Sequence, residues 1–161
     1  MKKNIFLFII LVTIGIAGRM LPHVWNTTPM LAVILFASVY LGKQYSAWVL
    51  FLSMAISDAF LGTYQWQIML SVYASLAIAC FAGGIIKKHK GVVSIIATPL
   101  VLSITFYIVT NWAVWQFSPL YNHTLRGLID SYTMAIPFFK NSLTGDLVYT
   151  ALFFGVYEAY I

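Results

Sequence analysis

The stretch 92-VVSIIATPLVLSITFYIVTNWAVWQ-116 carries no charged side chain. As a helix it is roughly 37 Å long, more than the ~30 Å hydrocarbon thickness of a bilayer. Its one breaker, Pro99, lies about two turns from its start and predicts a kink there. The run is far longer than the ~10-residue alternating segments of a membrane barrel. Working outward, five more apolar runs lie between polar punctuation, at about 4–20, 28–41, 46–62, 66–86 and 142–160. The pattern predicts an all-α, polytopic membrane helix bundle of about six transmembrane helices. It forms a single integral membrane domain over residues 1–161.

Composition agrees. Of 161 residues, 61% are hydrophobic and 8% charged, against about 45–50% and 25% in soluble domains. A water-soluble monomer of this kind could not cover its surface with polar groups. One cysteine excludes a disulfide scaffold. Six spans leave no length for a separate soluble domain.

Two segments are ambiguous. Run 28–41 is short for a span. Either Thr27, Thr28 and Pro29 extend it, or it starts deep and the preceding loop dips into the protein. Between the last two runs, 124–137 sets Arg126 and Asp130 four apart among Leu125, Leu128, Ile129 and Met134. That reads either as a short interfacial amphipathic helix over one membrane face or as an irregular loop.

The basic residues set an orientation. Lys2, Lys3, Lys43, Lys87, Lys88 and Lys90, six of the nine, fall on one side of a six-span chain. That side is expected to be the cytoplasm, with both termini inside. Arg19, Arg126 and Lys140 fall outside. The net charge of +5 is thus a topology signal, and no dense basic patch points to nucleic acid. Residues 1–18 also have the form of a secretory signal, with Gly15 and Ala17 at cleavage-like spacing. The even span count favours retention.

On this topology the strongly polar residues gather in the outer half. Arg19 and His23 lie at and after the end of helix 1, with Asn26, Thr27 and Thr28 in the same loop. Asp58 sits about one turn inside helix 3. Gln65, Trp66 and Gln67 open helix 4. Asn111, Trp115 and Gln116 close helix 5, and Asn141 and Asp146 open helix 6. Charges inside spans are costly and mark either function or a buried pair. A cup of charged, amide and aromatic side chains suits a small ligand. The plain readings stand beside this one. Tryptophans anchor at interfaces, Arg19 pairs with Asp58 or Asp146 to hold helices together, and Asn111 bridges helices. At helical spacing, Tyr107, Asn111 and Trp115 share one face, as do Ser142, Asp146 and Tyr149. No catalytic or metal-ligating constellation is present, so neither enzyme activity nor a cofactor is expected.

Five stretches carry a family likeness: Arg19-Met-Leu-Pro-His23 with Asn26-Thr-Thr-Pro29; Ser57-Asp58-Ala-Phe-Leu-Gly62; Thr110-Asn111-Trp-Ala-Val-Trp115; Ile136-Pro-Phe-Phe-Lys-Asn141; and Gly145-Asp146-Leu-Val-Tyr-Thr150. Through them the chain resembles an uncharacterised family of small bacterial multi-pass membrane proteins. That family is similar in size and layout to the substrate-binding S components of energy-coupling factor (ECF) transporters. The resemblance implies an S-component-like fold in the bacterial cytoplasmic (inner) membrane and capture of a vitamin-like micronutrient at the outer face. It also implies partnership with an ECF transmembrane subunit and two ATPases. The loop from His23 to Thr28 would form part of a lid, and Asp58, Asn111, Trp115 and Asp146 would face the ligand. The S components' docking motif, two alanines separated by three residues in helix 1, is replaced here by Thr13/Ala17 and Gly15/Gly18. Two other classes remain open: a membrane scaffold similar in size to the cell-shape protein MreD, and an intramembrane enzyme using Asp58 and Asp146 as a carboxylate pair.

Overall fold

A helix that is apolar all round belongs either in lipid or in the middle of a protein. The run after Pro29 takes the second place. In a computed structural model that describes residues 2–22, 26–89 and 91–160, the described residues form six α-helices and no strand. These are α1 (Lys2–Met20), α2 (Met30–Tyr40), α3 (Lys43–Leu61), α4 (Trp66–Lys88), α5 (Val92–Phe117) and α6 (Leu125–Tyr160). Every residue of α2 from Met30 to Val39 is buried, and α2 packs against each of the other five helices. Around it, α5 lies between α4 and α6, while α1 touches only α2 and α3.

The expected run 28–41 is therefore neither extended nor a span. It has 11 residues, about 16 Å of helix, or roughly half a bilayer core. It starts deep, and Thr28 and Pro29 lead down to it. Its far end turns tightly into α3. Leu41 N and Gly42 N both donate to Ala37 O, at 2.8 and 3.0 Å. Gly42 has φ 94° and ψ 164°, a conformation open essentially to glycine alone.

Helix α6 is the larger departure. The amphipathic piece 124–137 and the run 142–160 are one helix of 36 residues, with Pro137 inside it. The first half does not lie over a membrane face; it runs back along α5. The Tyr107 hydroxyl donates to Tyr132 O at 2.6 Å, and the Tyr132 hydroxyl donates to Ile108 O at 2.8 Å. An interior proline removes one backbone hydrogen bond, which a helix packed among others tolerates.

Small residues bring the backbones close. A Cβ on Gly83 would collide with Ser38 of α2, side chain and backbone alike, and Ser38 Oγ donates to Cys80 O at 2.5 Å. Gly15 lies against the side chain of Ser53 of α3. Ser46 Oγ donates to Ile34 O at 2.7 Å. Such Gly and Ser approaches replace the hydrophobic drive that lipid does not supply between helices.

Large apolar side chains cover the outside. Phe6, Phe60, Phe81, Val93 and Val101 are all exposed, far beyond the apolar patches of a soluble monomer. Among the described residues, three helices are long and apolar enough to cross a membrane: Lys3–Met20, Trp66–Lys88 and Val92–Phe117. The architecture is a membrane helix bundle.

Candidate binding cavity

Because α2 fills only half the height of the bundle, space is left above its first residue. Met30 and Leu31 form the floor of a cavity of about 320 Å³, to which all six helices contribute. Ligand pockets are commonly about 300–1,000 Å³. Arg19 enters from the end of α1, and Asn26 and Thr28 from the loop above α2. Met54 comes from α3, and Val72 and Leu76 from α4. Phe106, Tyr107, Thr110 and Asn111 line one wall from α5; Ala135, Phe138, Phe139, Ser142 and Asp146 line the other from α6.

The room on the α6 side follows from two mismatched distances. Ser103 of α5 meets Asp146, and Tyr107 meets Tyr132. From Ser103 to Tyr107 is about 6 Å of axis, whereas from Tyr132 to Asp146 is about 21 Å. Helix α6 must bow away from α5 between these points. Pro137 sits within that interval, where a kink is expected. The bowed segment supplies Ala135, Phe138, Phe139 and Ser142 to the cavity.

The polar groups fall into two sets. In the first, Arg19 Nη2 lies 2.7 Å from Asp58 Oδ1, and the two side chains are 16% and 6% exposed. Arg19 Nη1 donates to Ser57 Oγ at 2.5 Å and Met54 O at 3.4 Å. Ser57 passes its own proton down the helix toward Ser53 O, 2.6 Å away. Tyr73 donates to the other Asp58 oxygen at 2.7 Å. Buried charges need this degree of pairing. Tyr64, in the loop between α3 and α4, feels the cluster. Burial first, then the Asp58 charge, push its phenol up, while Arg19 pulls the other way.

The second set is Asp146 with Ser103 and Ser142. Asp146 is buried, and Ser103 Oγ lies 2.7 Å from its Oδ2. The same hydroxyl lies 2.8 Å from Pro99 O. A hydroxyl has one proton to give, so the two acceptors compete for it.

Of the residues expected to bind ligand, Arg19, Asn26, Asn111 and Asp146 line the cavity. Asn26 holds φ 61°, a left-handed conformation that asparagine tolerates better than most residues. Asn111 Nδ2 donates to Tyr107 O at 2.8 Å, which leaves its oxygen uncommitted in that bond. Asp58 lies one layer behind the wall, holding Arg19. Trp115 does not reach the cavity; its Nε1 donates to Asn122 O at 3.0 Å and its ring meets His123. Asn141 accepts from Thr27 Oγ1 at 3.5 Å through its main chain. Trp66 is 64% exposed on the outer surface. His23 lies outside the described residues. The aromatic wall of Phe106, Phe138 and Phe139 was not singled out by the sequence, since a buried Phe carries no mark that separates core from cavity. Tyr73 and Ser103 escaped notice for a similar reason.

A wider groove of about 870 Å³ opens at the opposite end, by Lys87, Ile95 and Glu158. It is almost wholly apolar, and its Glu158 accepts from the Tyr40 hydroxyl at 2.6 Å. Convergent polar groups single out the smaller cavity as the candidate site.

Neither curated proteins nor solved structures include a significant match to this sequence. A sequence-family model does match, over residues 1–160, which is nearly the full set of helices that build the cavity. The chain belongs to the family of unknown function DUF6580.

Proposed function

We propose that this protein is a membrane-embedded binding and uptake subunit for a vitamin-like small molecule, not an enzyme, which captures its ligand in the cavity between α1, α5 and α6. The observation that carries this reading is the composition of the cavity wall. Arg19, Asn26, Asn111 and Asp146 converge on one space of ligand size, bounded by aromatic rings. A scaffold needs only closed internal pairs, which the Arg19–Asp58 cluster is. Asp146 and Asn111, which line the cavity beside their own hydrogen bonds, go beyond that.

The cavity opens at the end remote from Lys43, Lys87 and Lys88. By the distribution of basic residues that end faces outward, across the bacterial cytoplasmic membrane, with both termini inside. The likeness to S components of ECF transporters rests on layout: six helices, a polar cup, and the loop residues Asn26 and Thr28 at its rim. On that reading energy comes from an ECF-type transmembrane subunit and its ATPases. The decisive experiment is mass spectrometry of small molecules retained by the detergent-purified protein. A retained compound, held more weakly in Asn111→Ala but unchanged in Trp66→Ala, supports the reading. An empty protein that also fails to accumulate any solute in cells points to the scaffold instead.

A further inference from the structure

We propose that the cavity selects a small organic cation bearing an aromatic or similarly flat group, an ammonium or a protonated heterocycle, and seats its positive charge on the Asp146 carboxylate; this rests on the binding reading above and names the ligand class. The argument is a charge balance. Arg19 and Asp58 neutralise each other at 2.7 Å, and among the described residues theirs is the one ion pair. Asp146 is 7% exposed, lines the cavity and, among the described residues, has no basic partner there. A buried carboxylate without a countercharge is costly. Its hydrogen-bond partners are two neutral hydroxyls, Ser103 and Ser142, and Pro99 O also attracts the Ser103 proton. The N-terminus of α2 below contributes at most about half a positive charge. An incoming cation would remove that cost by pairing with the carboxylate.

The aromatic lining suits the same ligand. Tyr107 of α5 and Phe139 of α6 meet at a tilt of 36° with centroids 4.6 Å apart, and the Tyr107 hydroxyl is already engaged with Tyr132 O. Aromatic faces attract cations, more so when water is excluded. Among the described residues no free cation lines the cavity to offset Asp146 for an anionic ligand, because Arg19 is committed to Asp58.

The test uses the intact protein in lipid nanodiscs and three probes of matched chain length: phenethylammonium, 2-phenylethanol and phenylacetate. Thermal unfolding and isothermal titration report binding. The ammonium is expected to bind at least about tenfold more tightly than the alcohol, and the carboxylate not to bind, since hydrogen bonds to charged groups are the stronger ones. Asp146→Asn is expected to erase the preference for the ammonium. The comparison on the unaltered protein stands even if that variant folds poorly. Equal binding of the alcohol, tighter binding of the carboxylate, or an ammonium preference that survives Asp146→Asn overturns the cation assignment. In the first two cases, binding that Asn111→Ala weakens leaves the uptake reading intact. If no probe binds, the cation assignment falls; if the purified protein also retains no solute, the uptake reading falls with it.

Discussion

Arg19 of α1 and Asp58 of α3 form a buried ion pair at 2.7 Å, and Tyr73 of α4 closes it from the far side. Three helices are thereby tied at one end of the bundle. Removing one member strands the other charge. Arg19→Ala or Asp58→Ala is expected to cost about 3–5 kcal/mol and to lower the yield of monodisperse protein. The double change Arg19→Met, Asp58→Leu is expected to recover much of that loss. Thermal unfolding of all three variants in one detergent checks it, and a double variant no better than the singles counts against the pair as a closed unit.

Asn111 and Trp115 stand one turn apart on α5 but have separate roles. Asn111→Ala removes a cavity amide and is expected to weaken ligand retention about five- to tenfold, roughly one hydrogen bond, at normal protein level. Trp115→Phe loses the bond to Asn122 O. It is expected to reduce stability by about 1 kcal/mol and leave retention alone. Measuring expression and retention side by side separates the two.

Gly83 and Gly84 offer a sharper packing test. A side chain at Gly83 meets Ser38, whereas nothing lies within 4 Å at Gly84. Gly83→Val is expected to destabilise by at least about 1–3 kcal/mol through overpacking. Gly84→Val is expected to be close to neutral. Equal melting temperatures for the two variants would show that α2 and α4 do not approach as closely as described.

Pro137→Ala restores a backbone donor inside α6 and is expected to straighten it. Stability then holds or rises while the cavity wall of Ala135, Phe138 and Phe139 moves in toward α5. Ligand retention is expected to fall several-fold without loss of protein. Unchanged retention would separate the bow of α6 from its proline.

Orientation is open to cysteine labelling, since Cys80, the one native cysteine, is buried. In intact cells a membrane-impermeant maleimide is expected to modify Leu120→Cys and not Lys88→Cys, both positions being exposed. The reverse pattern would invert the proposed topology.

Much of this architecture was legible in the residues. Helix α5 was bounded within one residue at its end, because Gly91 precedes an uninterrupted apolar run and Ser118 follows it. Arg19 was expected to pair with Asp58 or Asp146, since a charge at a span edge needs a partner, and the fold decides for Asp58. Other features were illegible for physical reasons. Hydropathy registers removal from water, so α2, wrapped by protein, reads like a helix wrapped by lipid. Pro137 read as a break between elements because the penalty for an interior proline is usually decisive. Asp146 was visible as a buried acid, but the phenylalanines facing it were indistinguishable from other apolar residues.

The shortness of α2 has a consequence for biosynthesis. At about 16 Å, with hardly any surface left for lipid, it is poorly suited to enter a bilayer as an independent segment. Its place is secured only once α4 and α6, made later, have closed around it. Assembly must then be late and concerted. Chains truncated before Val92 are expected to leave α2 unplaced and to be cleared by quality control, so the cavity above Met30 comes into being only in the finished chain.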